Sequence, residues 1–212
     1  MSVESRDLAP LGFIHIPKNA GTSIARLITD NKLPIAISNH WYRRRLAREE
    51  IVVLRCPLDR FQSAFQYGKK YWANPVNQHF SCANELAECA ADPSHAKHGM
   101  AWAELGNKPG DIFQRNLKND PVHSVLQREI DFTFVYEPQS SWLIHRPKHI
   151  LRFNQLESDF CKVMGELGFE GQFSMQRLNY SDHKEQDFSV KSRQFIRKIY
   201  VQDYALIGSL GL

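Results

Sequence analysis

Two short segments and one histidine have residue types and spacings suited to chemistry on an anion. In "GFIHIPKNAGTSIARL" (12–27), Lys18, Asn19, Ala20, Gly21, Thr22 and Ser23 combine a mobile positive charge, a residue without a β-carbon and two adjacent hydroxyls. Such a loop, set between a strand and a helix, cradles a phosphate: the first N–H groups of a helix lack intrahelical acceptors and carry the positive end of its dipole. The order departs from the P-loop pattern G-x-x-x-x-G-K-[ST], because Lys18 precedes Gly21 and no hydroxyl follows the lysine to hold magnesium. In "VLRCPLDRFQSAF", Arg55 ends an apolar run and Ser63 stands eight positions later. An arginine forks onto a phosphate through two parallel hydrogen bonds. Nucleotide hydrolases want an acid at the end of such a strand, whereas an arginine there repels a metal ion and attracts an anion. His40, in "IAISNHWYRR", is of the type that serves as a general base near neutral pH.

These residues need a scaffold, and apolar runs alternating with helical stripes indicate a parallel sheet covered by helices. "LGFIHI" (11–16), "LPIAIS" (33–38) and "EIVVLR" (50–55) predict strands, the last central because it is β-branched and apolar on both sides. "TSIARLITDN" (22–31) predicts a helix with Ile24, Leu27 and Ile28 inward. "PLDRFQSAFQYGKKYW" predicts another, with Pro57 in its first turn, Asp59 at its positive end and Phe61, Ala64, Phe65 and Gly68 buried. "HWYRRRLAREE" reads as a basic helix or turn. Its Arg43, Arg44, Arg45 and Arg48 either steer an acidic acceptor or form a solvated face.

Residues 74–130 predict short helical pieces and loops. "DFTFVYE" (131–137) and "KHILRF" (148–153) predict strands around a short helix at "PQSSWLI", and "QLESDFCKVMGELGF" and "VKSRQFIRKIYVQDYALIG" predict one helix each. An arginine leaving the carboxyl end of a central strand stands where ligands collect in open α/β sheets.

With 212 residues, 42% hydrophobic and 11% aromatic, the chain reads as one globular domain over 1–212. A net charge of +4 suits an anionic ligand and falls short of a nucleic-acid-binding tail. The N-terminus lacks a signal-peptide apolar run, and no stretch approaches the roughly 18–20 apolar residues of a membrane span. The expectation is a cytoplasmic protein without membrane insertion. Cys56, Cys82, Cys89 and Cys161 form no CxxC pair, and free thiols are expected.

Taken together, the two motifs resemble those of the sulfotransferases, nearest the branch that modifies carbohydrates such as heparan and its bacterial counterparts. "IPKNAGTS" is similar to that family's loop for the 5′-phosphosulfate end of 3′-phosphoadenosine 5′-phosphosulfate (PAPS), and "VLRCPLDRFQSAF" to the segment whose arginine and serine hold the 3′-phosphate. "EPQSSWL", "ILRFNQLESDF", "RLNYSD" and "IYVQDYALIG" echo later segments, so the likeness covers most of the chain outside residues 72–130.

The resemblance implies a P-loop-NTPase-like three-layer α/β fold with a parallel sheet of about five strands, and makes 72–130 an acceptor-side helical insertion. It implies a PAPS-dependent, metal-free sulfotransferase, with 3′-phosphoadenosine 5′-phosphate (PAP) as product and a carbohydrate or small-molecule acceptor. Lys18 and His40 become the catalytic pair, with Lys18 also binding the donor. Asn19, Ala20, Gly21, Thr22, Ser23, Arg55 and Ser63 become nucleotide contacts. Asn179 and Ser181 join them from a closing loop, and Gln139 either approaches the nucleotide or caps its helix.

The sequence departs from the pattern at Asn19, where threonine is commoner, and at Asn154, where glutamate is usual. Two alternatives stand beside this reading: a non-catalytic nucleotide-binding module of the same fold, and a P-loop-type kinase, which lacks its acid and its lysine order here. His15 is expected in the core, and His79, His95 and His98 are further candidates for the base. Tyr67, Tyr71, Trp72 and Trp102 either stack on a sugar or fill a core.

Overall fold

The structure is a computed structural model that describes residues 9–38, 47–71, 79–106, 135–143, 145–169, 171, 173–175 and 187–211. The chain divides into two compact units. The first takes in the described residues of Met1–Arg55 and Gln139–Asp182, the second those of Cys56–Pro138 and His183–Gly211.

The first unit holds a parallel sheet flanked by helices. Strands β1 (Ala9–Ile14), β2 (Ile35–Ile37), β3 (Ala47–Leu54) and β4 (His149–Arg152) pair in the order β2-β1-β3-β4. The registers Phe13↔Ile37, Ile14↔Val52 and Leu54↔Arg152 put the carboxyl ends of the strands at one edge of the sheet, where β3 and β4 run past the end of β1. Helices α1 (Gly21–Asp30) and α5 (Leu156–Glu166) bury Ile24, Leu27, Ile28, Phe160, Val163 and Met164 against Leu11, Phe13, Ile51, Val53 and Leu151. Val52 and Leu54, of opposite parity on β3, are buried as well, which accounts for the unbroken apolar run of that strand. Arg152 holds α5 to β4 by a bidentate pair with Asp159 at 2.8 and 2.6 Å.

The second unit is helical in its described residues: α2 (Pro57–Tyr71), α3 (Ala83–Ala91), α4 (His98–Glu104), α6 (Val190–Ile199) and α7 (Val201–Ser209). Phe61, Ala64 and Phe65 of α2 are buried as the stripe predicted, among Phe80, Leu86, Trp102, Tyr136, Phe188, Ile196 and Tyr200. Trp102 is a core residue: its indole N–H donates to Ala90 O at 3.0 Å and its ring meets Phe195 edge-on.

This unit also buries charge. Arg60, only 1% exposed, donates from Nη1 to the Glu137 carbonyl oxygen at 2.7 Å, beside the buried Asp203 and Tyr200. Glu104 accepts from the Tyr136 hydroxyl at 3.4 Å, and burial pushes its carboxyl up to about 7.

Three expected elements come out differently. Of the basic helix or turn expected over 40–50, residues 40–46 lie outside the described residues, and 47–50 are the first residues of β3, paired in parallel with β1. Residues 131–134 of the expected strand over 131–137 lie outside the described residues, and Val135 and Tyr136 form a 3₁₀ turn. Side chains satisfy the backbone there: Tyr200 donates its hydroxyl to Tyr136 O at 2.6 Å, and Arg60 donates to Glu137 O. The expected single C-terminal helix is two, because Tyr200 leaves helical geometry at φ −109°, ψ 27°. The same hydroxyl bond pins that side chain in the core. No helix among the described residues is long and apolar enough to cross a membrane.

Candidate functional site

The candidate site lies in the first unit, where β1 hands over to α1. The turn between them contains two non-glycine residues in the left-handed region, Lys18 (φ 67°) and Ala20 (φ 57°). Each costs an L-residue about 1–2 kcal/mol, so the turn needs outside support. Asn19 supplies it. Its side chain is 1% exposed, and Nδ2 donates to Val53 O at 2.7 Å and to Gln139 Oε1 at 2.6 Å. Its backbone N–H donates to Ile16 O at 3.4 Å. The Nδ2 donor of Asn19 is thus bonded within the protein, to backbone and side chain alike, while its buried Oδ1 has no hydrogen-bond partner among the described residues.

Ala20 is the N-cap of α1, and no side chain caps the helix. Ala20 O accepts from the N–H groups of Ser23 and Ile24, while Gly21 and Thr22, as the first two helical residues, have no intrahelical acceptor to donate to. No acid lies in the first turn. A left-handed residue followed by a helical one is a backbone nest, whose successive N–H groups form a concave anion site. Thr22 is exposed, Lys18 and Ala20 are half-buried, and Ser23 is buried.

Arg55 follows the last residue of β3. Its Nη1 donates to Lys18 O at 3.2 Å, which sets the guanidinium against the turn. The guanidinium carbon stands 4.0 Å over the centre of the Phe153 ring, within cation–π range. The main chain of Arg55 is bonded on both sides by one side chain: its N–H donates to Gln139 Oε1 at 2.9 Å, and Gln139 Nε2 donates to its carbonyl at 2.8 Å. The Gln139 carboxamide thus bonds both the main chain of Arg55 and the side chain of Asn19.

His15 lies in the core, as expected, with its backbone N–H donating to Ser38 Oγ at 2.9 Å and its ring stacked on Phe13. That ring also lies against Gly21, where a β-carbon would fall 1.7 Å from Cδ2.

Of the residues singled out from sequence, Lys18 to Ser23 and Arg55 gather in this region. Ser63 is half-buried on α2, in the second unit. His40, Asn179 and Ser181 lie outside the described residues, as do Arg43, Arg44, Arg45 and Trp72. Of the other histidines, His79 and His95 are exposed, and His98 Nδ1 is 3.1 Å from Cys89 O.

One member of the site, Phe153, went unread, and one bond could not be foreseen. Phe153 was accessible in principle, since parallel pairing of two strands ending at Arg55 and Phe153 sets those residues side by side. The Gln139–Asn19 bond joins residues 120 positions apart and leaves no local signal.

Among the described residues no group of three or more His, Cys, Asp or Glu side chains could hold a metal ion. Compared with protein families, curated proteins and solved structures, the chain shows no match.

Proposed function

We propose that the protein is a sulfotransferase that moves a sulfuryl group from PAPS to an acceptor hydroxyl, on a carbohydrate or small molecule, within a P-loop-like α/β fold. The observation that carries this reading is the Arg55 guanidinium bonded to the turn that leads into an uncapped, acid-free helix N-terminus. That arrangement fits a ligand bearing more than one phosphate: exposed hydroxyl, backbone N–H groups and a forked cation are all donors. An open backbone nest on α1 and a strand-end arginine are also what the resemblance in "IPKNAGTS" and "VLRCPLDRFQSAF" implies.

PAPS supplies an activated sulfur whose bond to the bridging phosphate oxygen breaks as the acceptor oxygen bonds to sulfur. Charge collects on the leaving phosphate. Lys18 stabilises the bridging oxygen, while Thr22, Ser23 and the N–H groups at the start of α1 take the 5′-phosphate. Arg55 holds the 3′-phosphate. His40 accepts the proton released by the acceptor. An arginine after β3 opposes a metal ion there, so the chemistry assigned to these residues uses positive side chains and dipoles.

The test is transfer of labelled sulfate from PAPS to a panel of sugars and small alcohols, with and without a chelator. Product should form in both conditions, and His40→Ala should abolish it while PAP binding persists. A wild-type protein that binds PAP and modifies no acceptor would favour the binding-module alternative. Magnesium-dependent ATP turnover would favour the kinase.

A further inference from the structure

We propose that Gln139 is a positioning residue of this site, a carboxamide latch that fixes the Lys18–Ala20 turn to the end of β3. The inference rests on the anion-site reading above and extends it to a residue that acts through Asn19 and Arg55. Gln139 is completely buried and opens the 3₁₀ turn Gln139–Trp142. Its carboxamide exchanges two hydrogen bonds with the peptide of Arg55, as a neighbouring strand would, just past the last register pair Leu54↔Arg152. A side-chain amide here does the work of one more residue of sheet.

The same Oε1 accepts from Asn19 Nδ2, and Asn19 in turn reaches Val53 O. Asn19 sits between the two left-handed residues, so this chain of bonds is what holds both in place. Lys18 and Ala20 flank Asn19 in the turn, and Arg55 Nη1 donates to Lys18 O. The latch therefore sets the spacing between the two groups that hold the nucleotide's 5′- and 3′-phosphates. Its chemistry is specific: a carboxylate at 139 cannot donate to Arg55 O, and a thioether can fill the volume but makes neither bond.

The experiment compares wild type with Gln139→Met and Gln139→Glu, the second retaining the acceptor if the first does not fold. Residue-resolved hydrogen exchange should show the N–H groups of Asn19 and Ser23, which donate to Ile16 O and Ala20 O, accelerated about tenfold or more in both variants, the equivalent of one to two lost hydrogen bonds. The N–H groups of Ile51–Val53 should stay near wild type. Unchanged exchange in the turn, or equal acceleration throughout the sheet, would overturn the latch, the second outcome marking a merely structural residue. In the same proteins, PAP should bind about tenfold more weakly, and Gln139→Met should add little once Arg55→Ala is present, because both act on one contact. Wild-type affinity in Gln139→Met would overturn the positioning role with the nucleotide reading intact. Failure of wild type to bind PAP would remove the nucleotide reading, while the exchange measurement would still decide the latch.

Discussion

The His15 ring occupies the space into which a β-carbon on Gly21 would project, with Cδ2 1.7 Å from that position. Gly21 is thus required by a neighbour inside the unit, and its lack of a side chain lets β1 and α1 approach. Gly21→Ala should destabilise the protein by about 1–3 kcal/mol, the usual range for overpacking. In a His15→Ala background the same change should cost much less. Urea unfolding of the four proteins reads the coupling, and additive costs would show that the imidazole is not the obstacle.

Arg55 acts through both charge and plane. Arg55→Lys keeps the charge but loses the fork and the flat contact with Phe153, so PAP affinity should fall short of wild type. Phe153→Leu removes only the ring under the guanidinium and should weaken binding about threefold, equivalent to a cation–π contact of 0.5–1 kcal/mol. Equal PAP affinity in wild type and both variants would mean that the guanidinium does not hold the nucleotide.

Burial of Arg60 beside Asp203 and Glu137 predicts a large asymmetry in the second unit. Arg60→Met should cost about 3–5 kcal/mol, because it leaves carboxylates buried without their cation. Replacing Asp203 with Leu in the same chain should recover a large part of the loss. The comparison is again by urea unfolding, and a neutral Arg60→Met would show the cluster to be energetically idle.

Glu104 gives a pH dependence with a definite sign. Its carboxyl titrates near 7 when folded, against an ordinary value of 4.5, because burial disfavours the charged form. Below 4.5 both states hold the proton and the group leaves stability unaffected. Between 4.5 and 7 the unfolded chain releases it first, so stability falls as pH rises, by up to roughly 3 kcal/mol. Glu104→Gln should flatten that slope in unfolding midpoints measured across the window. An unchanged slope would assign it to other groups.

Much of the scaffold was legible because its signals were local. The β-branched run at 51–53, Pro57 with Asp59, and the stripe Ile24, Leu27 and Ile28 each decide an element within a few residues. The misreadings arise where distant partners override local preference. "DFTFVYE" is β-rich, yet Tyr200 and Arg60 take the carbonyls of Tyr136 and Glu137 from the sequence positions of other elements. The helical stripe through 190–208 continues past Tyr200, and only its bond to Tyr136 O shows why the helix breaks there. At the site, Lys18, Gly21 and Arg55 were visible as residue types, whereas the inward turn of Asn19 depends on Val53 and Gln139.

The central claim is that this site holds a nucleotide bearing separate 3′- and 5′-phosphates. Calorimetric titration with PAP and with ATP tests it most directly, using wild type and Arg55→Ala. PAP should bind more tightly than ATP, and Arg55→Ala should weaken PAP by about tenfold or more, as for a lost charge-assisted hydrogen bond. Tighter binding of ATP, or a PAP affinity indifferent to Arg55→Ala, would contradict the account.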